Sequence, residues 1–187
     1  MCKMPDIICD IDGCLVDTSW IWYLINQNKN MSEDERFNFF NINANAQHSR
    51  LDKTCLLVLN YARKLQLAQR IVFITARSEA IATPTLNYIQ LNTGLVYEKD
   101  FLLSFRPLDD KLPPAESKRV RLQKFLQEGY KFLFAIDDDP AICKMYLEHK
   151  IAAFRWLIGT IPVDLLKCLG GDICKMERGG LDLICMN

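Results

Sequence analysis

The chain has 187 residues, half of them hydrophobic and a quarter charged, the balance of a soluble globular protein. At about 150 residues per domain it should form one domain with a modest insertion, and it buries roughly 70% of its unfolded surface, enough to hold a core without disulfides or metal. Lys+Arg and Asp+Glu balance at 23 each, so no global field draws the chain to nucleic acid or an anionic membrane, while few, unpatterned Gly and Pro exclude collagen-like and low-complexity structure.

In chain order, the residues after Met1 run into an apolar stretch, Asp6 to Ile11, that is cut by Asp10 and then Asp12. It is too short and too charged for a signal-peptide core, and it reads as a strand buried on both faces with a turn at Asp12 and Gly13. No apolar run is long enough for a transmembrane segment. The stretch from Trp20 to Tyr61 exceeds what one crossover needs. It is Asn-rich (Asn38, Asn41, Asn43, Asn45) around Phe37, Phe39 and Phe40, and is predicted to be a small helical insertion over the site.

Helical patterning covers Leu51 to Leu67, and a second strand runs from Arg70 to Thr75. A helix from Pro84 to Asn92 follows, with Thr83 as its cap and Gly94 as its stop. Leu95 to Ser104 is a weaker strand. A helix over Ser117 to Gln127 ends at Gly129, Lys131 to Asp137 is the third strong strand, and Asp139 caps a helix over Pro140 to Glu148. Ile151 to Trp156 is the last strand. This alternation predicts an α/β fold: a Rossmann-like parallel sheet with right-handed crossovers and a small helical insertion after the first strand. Residues 1–160 form the expected core, with the insertion at about 20–61. Residues 161–187 are a tail that packs on the core or links onward. The eight cysteines show no CxxC or zinc-ligand spacing, which fits a reduced, cytoplasmic protein.

The chemistry sits at the strand ends, where parallel sheets bind ligands. The first strand ends in Asp10 and Asp12, and the third in Asp137, Asp138 and Asp139. Neighbouring carboxylates repel by several kcal/mol at intermediate dielectric unless a cation lies between them. All-oxygen ligation suits a hard divalent ion, Mg²⁺ first. Taken singly, a DxDG is more often a turn and a DDDP more often a helix cap. Their order, each after an apolar strand and before a helix, is what gives them weight.

These residues resemble the haloacid dehalogenase (HAD) superfamily of phosphohydrolases. Asp10-Ile11-Asp12-Gly13-Cys14-Leu15 is similar to its first motif, Ile74-Thr75-Ala76-Arg77 to the second, Lys118 to the third and Asp137-Asp138 to the fourth, spanning about Asp6 to Gly159. Thr75-Ala76-Arg77, Thr83-Pro84-Thr85, the Arg106 segment and Ala135-Ile136-Asp137-Asp138 further resemble the 3′-phosphatase domain of phage-type polynucleotide kinases. Cys14 departs from the usual Thr, at a position whose hydroxyl is not catalytic.

The resemblance implies a Mg²⁺-dependent phosphomonoester hydrolase with Asp10 as nucleophile and Asp12 as general acid and base. Thr75 and Lys118 complete the catalytic set. Asp10, Asp12, Asp137 and Asp138 are the expected metal ligands, and Thr75, Ala76, Arg77 and Arg106 the expected substrate-binding residues. Glu116 is a candidate orienter of Lys118, and His48 and His149 are read as structural.

The expected partner is a phosphorylated substrate: a nucleic-acid end, a nucleotide or a phosphoprotein. Cations at Arg119, Arg121 and Lys124 favour nucleic acid, and a short insertion leaves the mouth open to bulky substrates. A phosphotyrosine phosphatase of the same mechanism, a phosphotransferase and a non-catalytic binding module are the alternatives. No GxxxxGK[ST] loop is present, so no kinase is fused within these residues.

Overall fold

The computed structural model describes residues 4–45 and 48–169. The elements run β1 (Asp6–Cys9), β2 (Val16–Asp17), α1 (Ser19–Gln27), α2 (Glu33–Asn43), β3 (Arg50–Leu51), α3 (Lys53–Lys64), β4 (Ile71–Ser78), a 3₁₀ turn (Glu79–Ile81), α4 (Ala82–Thr93), β5 (Phe101–Arg106), α5 (Pro114–Gln127), β6 (Phe132–Asp137), α6 (Pro140–Glu148), β7 (Ala153–Arg155) and α7 (Val163–Cys168). Five strands form one sheet in the order β5-β4-β1-β6-β7, and every neighbouring pair is parallel.

The two-residue period of the strands sorts their side chains into two cores. Ile7, Cys9, Ile71, Phe73, Phe134 and Ile136 face one side, with Cys55, Val58 and Leu59 of α3, Ile89 of α4 and Leu165 of α7. Ile8, Val72, Ile74 and Ala135 face the other, with Leu122 of α5 and Ile142, Met145 and Tyr146 of α6. Both faces are covered, which explains why these strands read as unbroken apolar runs. The chain steps outward from β1 to β4 and β5, then returns to the other side of β1 for β6 and β7. The order therefore reverses beside β1, and the crevice outside its carboxyl end lies between Asp10 and the end of β6.

Three helix starts differ from the expectation. Helix α3 begins at Lys53 rather than Leu51, because Leu51 pairs in β3 and Asp52 caps the helix. Thr83 is not a cap: α4 begins at Ala82 straight out of the 3₁₀ turn, which Ser78 caps by accepting from the Ala80 N–H at 3.2 Å. Pro84 fits inside that first turn because its nitrogen would have no intrahelical acceptor there. Helix α5 starts at Pro114, three residues before Ser117, because its first turn, Pro114-Ala115-Glu116, holds no large apolar side chain and escapes apolar periodicity. Strand β4 also continues past Thr75 to Ser78, with an irregular register against β5 between Ile74 and Ser78.

The insertion is a pair of helices. Ser32 and Glu35 form a reciprocal capping box that starts α2, and Ile21, Ile25, Phe40 and Ala44 make a small core of their own. Helix α3 belongs to the main core instead. Leu165 and Leu169 join that core from the segment after residue 160, while the rest of the expected tail, 170–187, lies outside the described residues. Among the described residues no helix is long and apolar enough to cross a membrane.

Candidate active site

Asp10 is the first residue after β1, held there by its N–H donating to Ile136 O at 2.9 Å. Asp137 ends β6, the adjacent strand. Ligand oxygens of Asp10, Asp137 and Asp138 all lie within 4.8 Å of one another. Lys118 reaches them from α5, fully buried, with its Nζ 2.7 Å from Asp137 Oδ2 and 3.0 Å from Asp10 Oδ1. Asp137 Oδ1 accepts the Asp139 N–H at 3.1 Å, so both its oxygens are engaged. Asp10 Oδ1 is buried, and its partner is the Lys118 ammonium in that 3.0 Å ion pair.

The electrostatics follow from one ammonium facing several carboxylates. Burial pushes the Asp10 carboxyl up to about 7, with Asp137 and Asp12 adding to the rise against the pull of Lys118. Burial also raises Asp137 against Lys118. Asp138 opens to solvent on one side, yet partial burial and then the Asp10 charge raise it to about 6. Burial alone would lower Lys118, but Asp10 and Asp137 hold it well above its ordinary value. The cluster is short of positive charge. Three hard carboxylate donors this close together fit a small divalent cation, and Asp10, Asp137 and Asp138 are the residues that would hold Mg²⁺.

Gly13 makes this cluster possible. Its φ is +78°, and a Cβ there would lie 2.3 Å from Asp138 Oδ2. The glycine thus supplies a left-handed turn and the space that Asp138 fills.

Asp12, expected among the metal ligands, is not in the cluster. Its carboxylate is taken by Arg77, which donates from Nε to Oδ2 at 2.8 Å and from Nη2 to Oδ1 at 2.7 Å. Arg77 is correspondingly not open to substrate. It is 1% exposed, and its remaining donors go to Asn45 Oδ1 at 2.5 Å, Thr85 Oγ1 at 3.2 Å and Ala44 O at 3.2 Å. An arginine buried this deeply needs a partner for each nitrogen, and the partners come from three separate elements. Thr75 is buried in β4, and its Oγ1 accepts the Arg77 N–H at 3.2 Å; Ala76 between them is half-buried.

Arg106 sits at the end of β5 with its guanidinium 5.5 Å from the Phe37 ring centroid and Nη2 donating to Leu112 O at 2.6 Å. The expected basic cluster dissolves. Arg121 is buried and ties α5 to the sheet through Thr75 O at 2.6 Å and Ser104 O at 2.7 Å, and Arg119 is paired with Glu116 and Glu148. Glu116 is exposed on that pair and does not orient Lys118. His149 contacts Met145 O and His48 packs edge-on against Trp20, both away from the cluster's carboxylates.

Two residues were missed in the sequence. Asn45 belongs to an Asn-rich stretch in the sequence, and in the structure it lies just past the end of α2, where its side chain meets Arg77 of β4. Arg155, at the end of β7, is exposed and donates from Nε to Asp138 O at 3.1 Å, placing a cation beside the acidic cluster. Its signal was its place at a strand end.

No family profile matches the chain, and no curated protein sequence matches it. Solved structures do. One in a structure of the Pnkp1/Rnl/Hen1 RNA repair complex superposes with TM-score 0.60 at 20% identity, covering 84% of this chain and 44% of that one. A haloacid dehalogenase-like hydrolase from Streptococcus pneumoniae gives 0.52 at 14% identity, covering 88% and 90%. The class C acid phosphatase from Bacillus anthracis, with tungstate bound, gives 0.55 at 12% identity, covering 98% and 82%. The chain has the haloacid dehalogenase-like fold. It spans less than half the length of the repair-complex chain, so this HAD-like unit corresponds to one part of that longer protein.

Proposed function

We propose that this HAD-like chain is a Mg²⁺-dependent phosphomonoester hydrolase that acts on the 3′-phosphate of a nucleotide or nucleic-acid end. The observation that carries the reading is Asp10: a carboxylate at the crevice beyond β1, ion-paired to buried Lys118 at 3.0 Å and within 4.8 Å of the Asp137 and Asp138 carboxylates.

In this reading an Asp10 oxygen attacks phosphorus, the P–O bond to the leaving group breaks, and Asp12 gives that oxygen its proton. Asp12 then takes a proton from water as the water attacks the aspartyl-phosphate, which frees Asp10 and inorganic phosphate. Asp10, Asp137 and Asp138 would hold Mg²⁺, which when bound would supply charge neutralisation on the phosphoryl oxygens. Lys118 offsets the charge of the nucleophile throughout. Thr75, having accepted from Arg77 N–H, retains its own O–H to donate to a phosphoryl oxygen.

The substrate reading is supported by the fold shared with a chain of an RNA repair complex. It is also supported by Arg106 and Arg155, cations at opposite edges of the rim that carries the acidic cluster. Buried free thiols at Cys9, Cys14, Cys55 and Cys143 favour a reducing, cytoplasmic setting.

The test is kcat/KM over 3′-phosphorylated oligonucleotides, mononucleotides, phosphotyrosyl peptides and sugar phosphates, with and without EDTA. Activity should vanish on chelation and be highest on 3′-phosphates. Preference for sugar phosphates or peptides would overturn the substrate, and activity that survives exhaustive chelation would overturn the metal. Asp10→Asn should fall to background with every substrate. Asp12→Asn should release about one equivalent of an aryl leaving group and then stall.

A further inference from the structure

The insertion touches the acid–base carboxylate through one side chain. Every nitrogen of the Arg77 guanidinium has a partner: Nε and Nη2 hold the two Asp12 oxygens, Nη2 also reaches Ala44 O, and Nη1 is held by Asn45 Oδ1 and Thr85 Oγ1. Asn45 Nδ2 in turn donates to Thr85 Oγ1 at 3.2 Å. Ala44 and Asn45 immediately follow α2. A guanidinium is a flat, rigid fork, so whatever fixes one end of its plane fixes the other. The bidentate pair then dictates the plane of the Asp12 carboxylate.

A residue within α2 itself, one turn earlier in the chain, separates docking from positioning. Asn41 Oδ1 accepts the Ser78 N–H at 3.1 Å and its Nδ2 donates to Phe37 O at 2.8 Å. It anchors α2 on the end of β4 with no contact to the Arg77 guanidinium. Asn41 pins the helix, whereas Asn45 reaches the residue that holds Asp12.

We propose that Asn45 is a positioning residue for proton transfer: the seating of the insertion, relayed from Asn45 through Arg77, sets the orientation of the Asp12 carboxylate. This rests on the hydrolase reading above, in which Asp12 is the acid and base. The reacting atoms are unchanged by it. The insertion acts on the steps in which Asp12 gives a proton to the leaving oxygen and takes one from water, and leaves the attack by Asp10 alone.

The test compares the Mg²⁺-loaded parent with Asn45→Ala, Asn45→Asp and Asn41→Ala on an aryl phosphate and on a 3′-phosphorylated nucleotide. Proton donation is worth about 10²–10⁴-fold, and a misoriented but present carboxylate should lose part of it. Asn45→Ala should lower kcat on the nucleotide by roughly 10-fold or more, with KM unchanged. On the aryl phosphate it should retain a burst near the parent rate before slow turnover. Asn45→Asp keeps an acceptor oxygen for Nη1 and should recover most of the loss. Asn41→Ala should lower the melting temperature without changing the ratio of rates on the two substrates. A parent inactive on both substrates would remove the hydrolase reading itself. With an active parent, the inference alone falls if Asn45→Ala slows the burst and both substrates alike, if it changes nothing, or if Asn41→Ala gives the same leaving-group signature.

Discussion

At the scale of single residues, the site is organised by what each side chain denies its neighbours. Gly13 denies Asp138 nothing, because it has no Cβ to meet an oxygen 2.3 Å away. Gly13→Ala would add that atom at a left-handed φ, at about 1–2 kcal/mol of backbone cost, and would push the Asp138 carboxylate out of the cluster. The variant should fold with a lowered melting temperature and bind Mg²⁺ about 10–100-fold more weakly by calorimetric titration, the range seen when groups supporting a metal ligand are lost. Unaltered affinity would show that Asp138 is not a ligand. Lys118→Met removes the one ammonium between Asp10 and Asp137. Losing one partner of a buried pair costs about 3–5 kcal/mol, and denaturant melts should show Mg²⁺ restoring much of that loss. The acidic positions were legible because strand ends at a sheet's crevice are legible. The burial of Arg77 and Arg121 was not, since their partners lie 8 to 65 residues away for Arg77 and 4 to 46 for Arg121, and no local pattern announces them.

At the scale of elements, one buried carboxylate ties the start of α3 to the end of the sheet layer. Asp52 caps α3 by accepting from Thr54 N–H at 2.8 Å and Cys55 N–H at 3.2 Å. Its other oxygen accepts from Trp156 Nε1 at 2.9 Å and Gly159 N–H at 2.8 Å. Asp52→Ala would orphan all four donors, two of them fully inside, so chemical denaturation should show a loss of about 3–5 kcal/mol, cap and buried bonds together. A loss under about 1 kcal/mol would mean that the segment from Trp156 to Gly159 is held by packing alone. The strands β1, β4, β6 and β7 were readable from apolar runs, as were α6 with its Asp139 cap and the Gly94 stop of α4. The starts of α3, α4 and α5 were not, because a short strand before a capping Asp52, a 3₁₀ lead-in and a first turn without large apolar side chains carry no apolar period. The insertion was readable as helical from its surplus length, but how it seats on β4 depends on Asn41 and Asn45 meeting Ser78 and Arg77 across the fold.

At the scale of the whole molecule, a chain with balanced charge concentrates its unbalanced acids at one end of the sheet, and the consequence is a pH dependence that metal should reverse. Asp10 and Asp138 are raised to about 7 and about 6 from an ordinary 3.8. Between roughly pH 4 and pH 7 the folded, metal-free protein therefore holds protons that the unfolded chain has already released. Stability falls as pH rises through that window, the opposite of a carboxylate whose folded value is depressed. A divalent cation competes with those same protons. At pH 5 the site is largely protonated and Mg²⁺ should add little. At pH 8 the carboxylates are charged, and Mg²⁺ at 100 times its dissociation constant should contribute about 2.7 kcal/mol. For a domain of this size that is roughly 5–10 °C in melting temperature. Thermal melts with and without saturating Mg²⁺ at the two pH values decide the matter. A Mg²⁺ shift confined to the higher pH is expected, and equal shifts at both would mean that the cation binds somewhere other than among Asp10, Asp137 and Asp138.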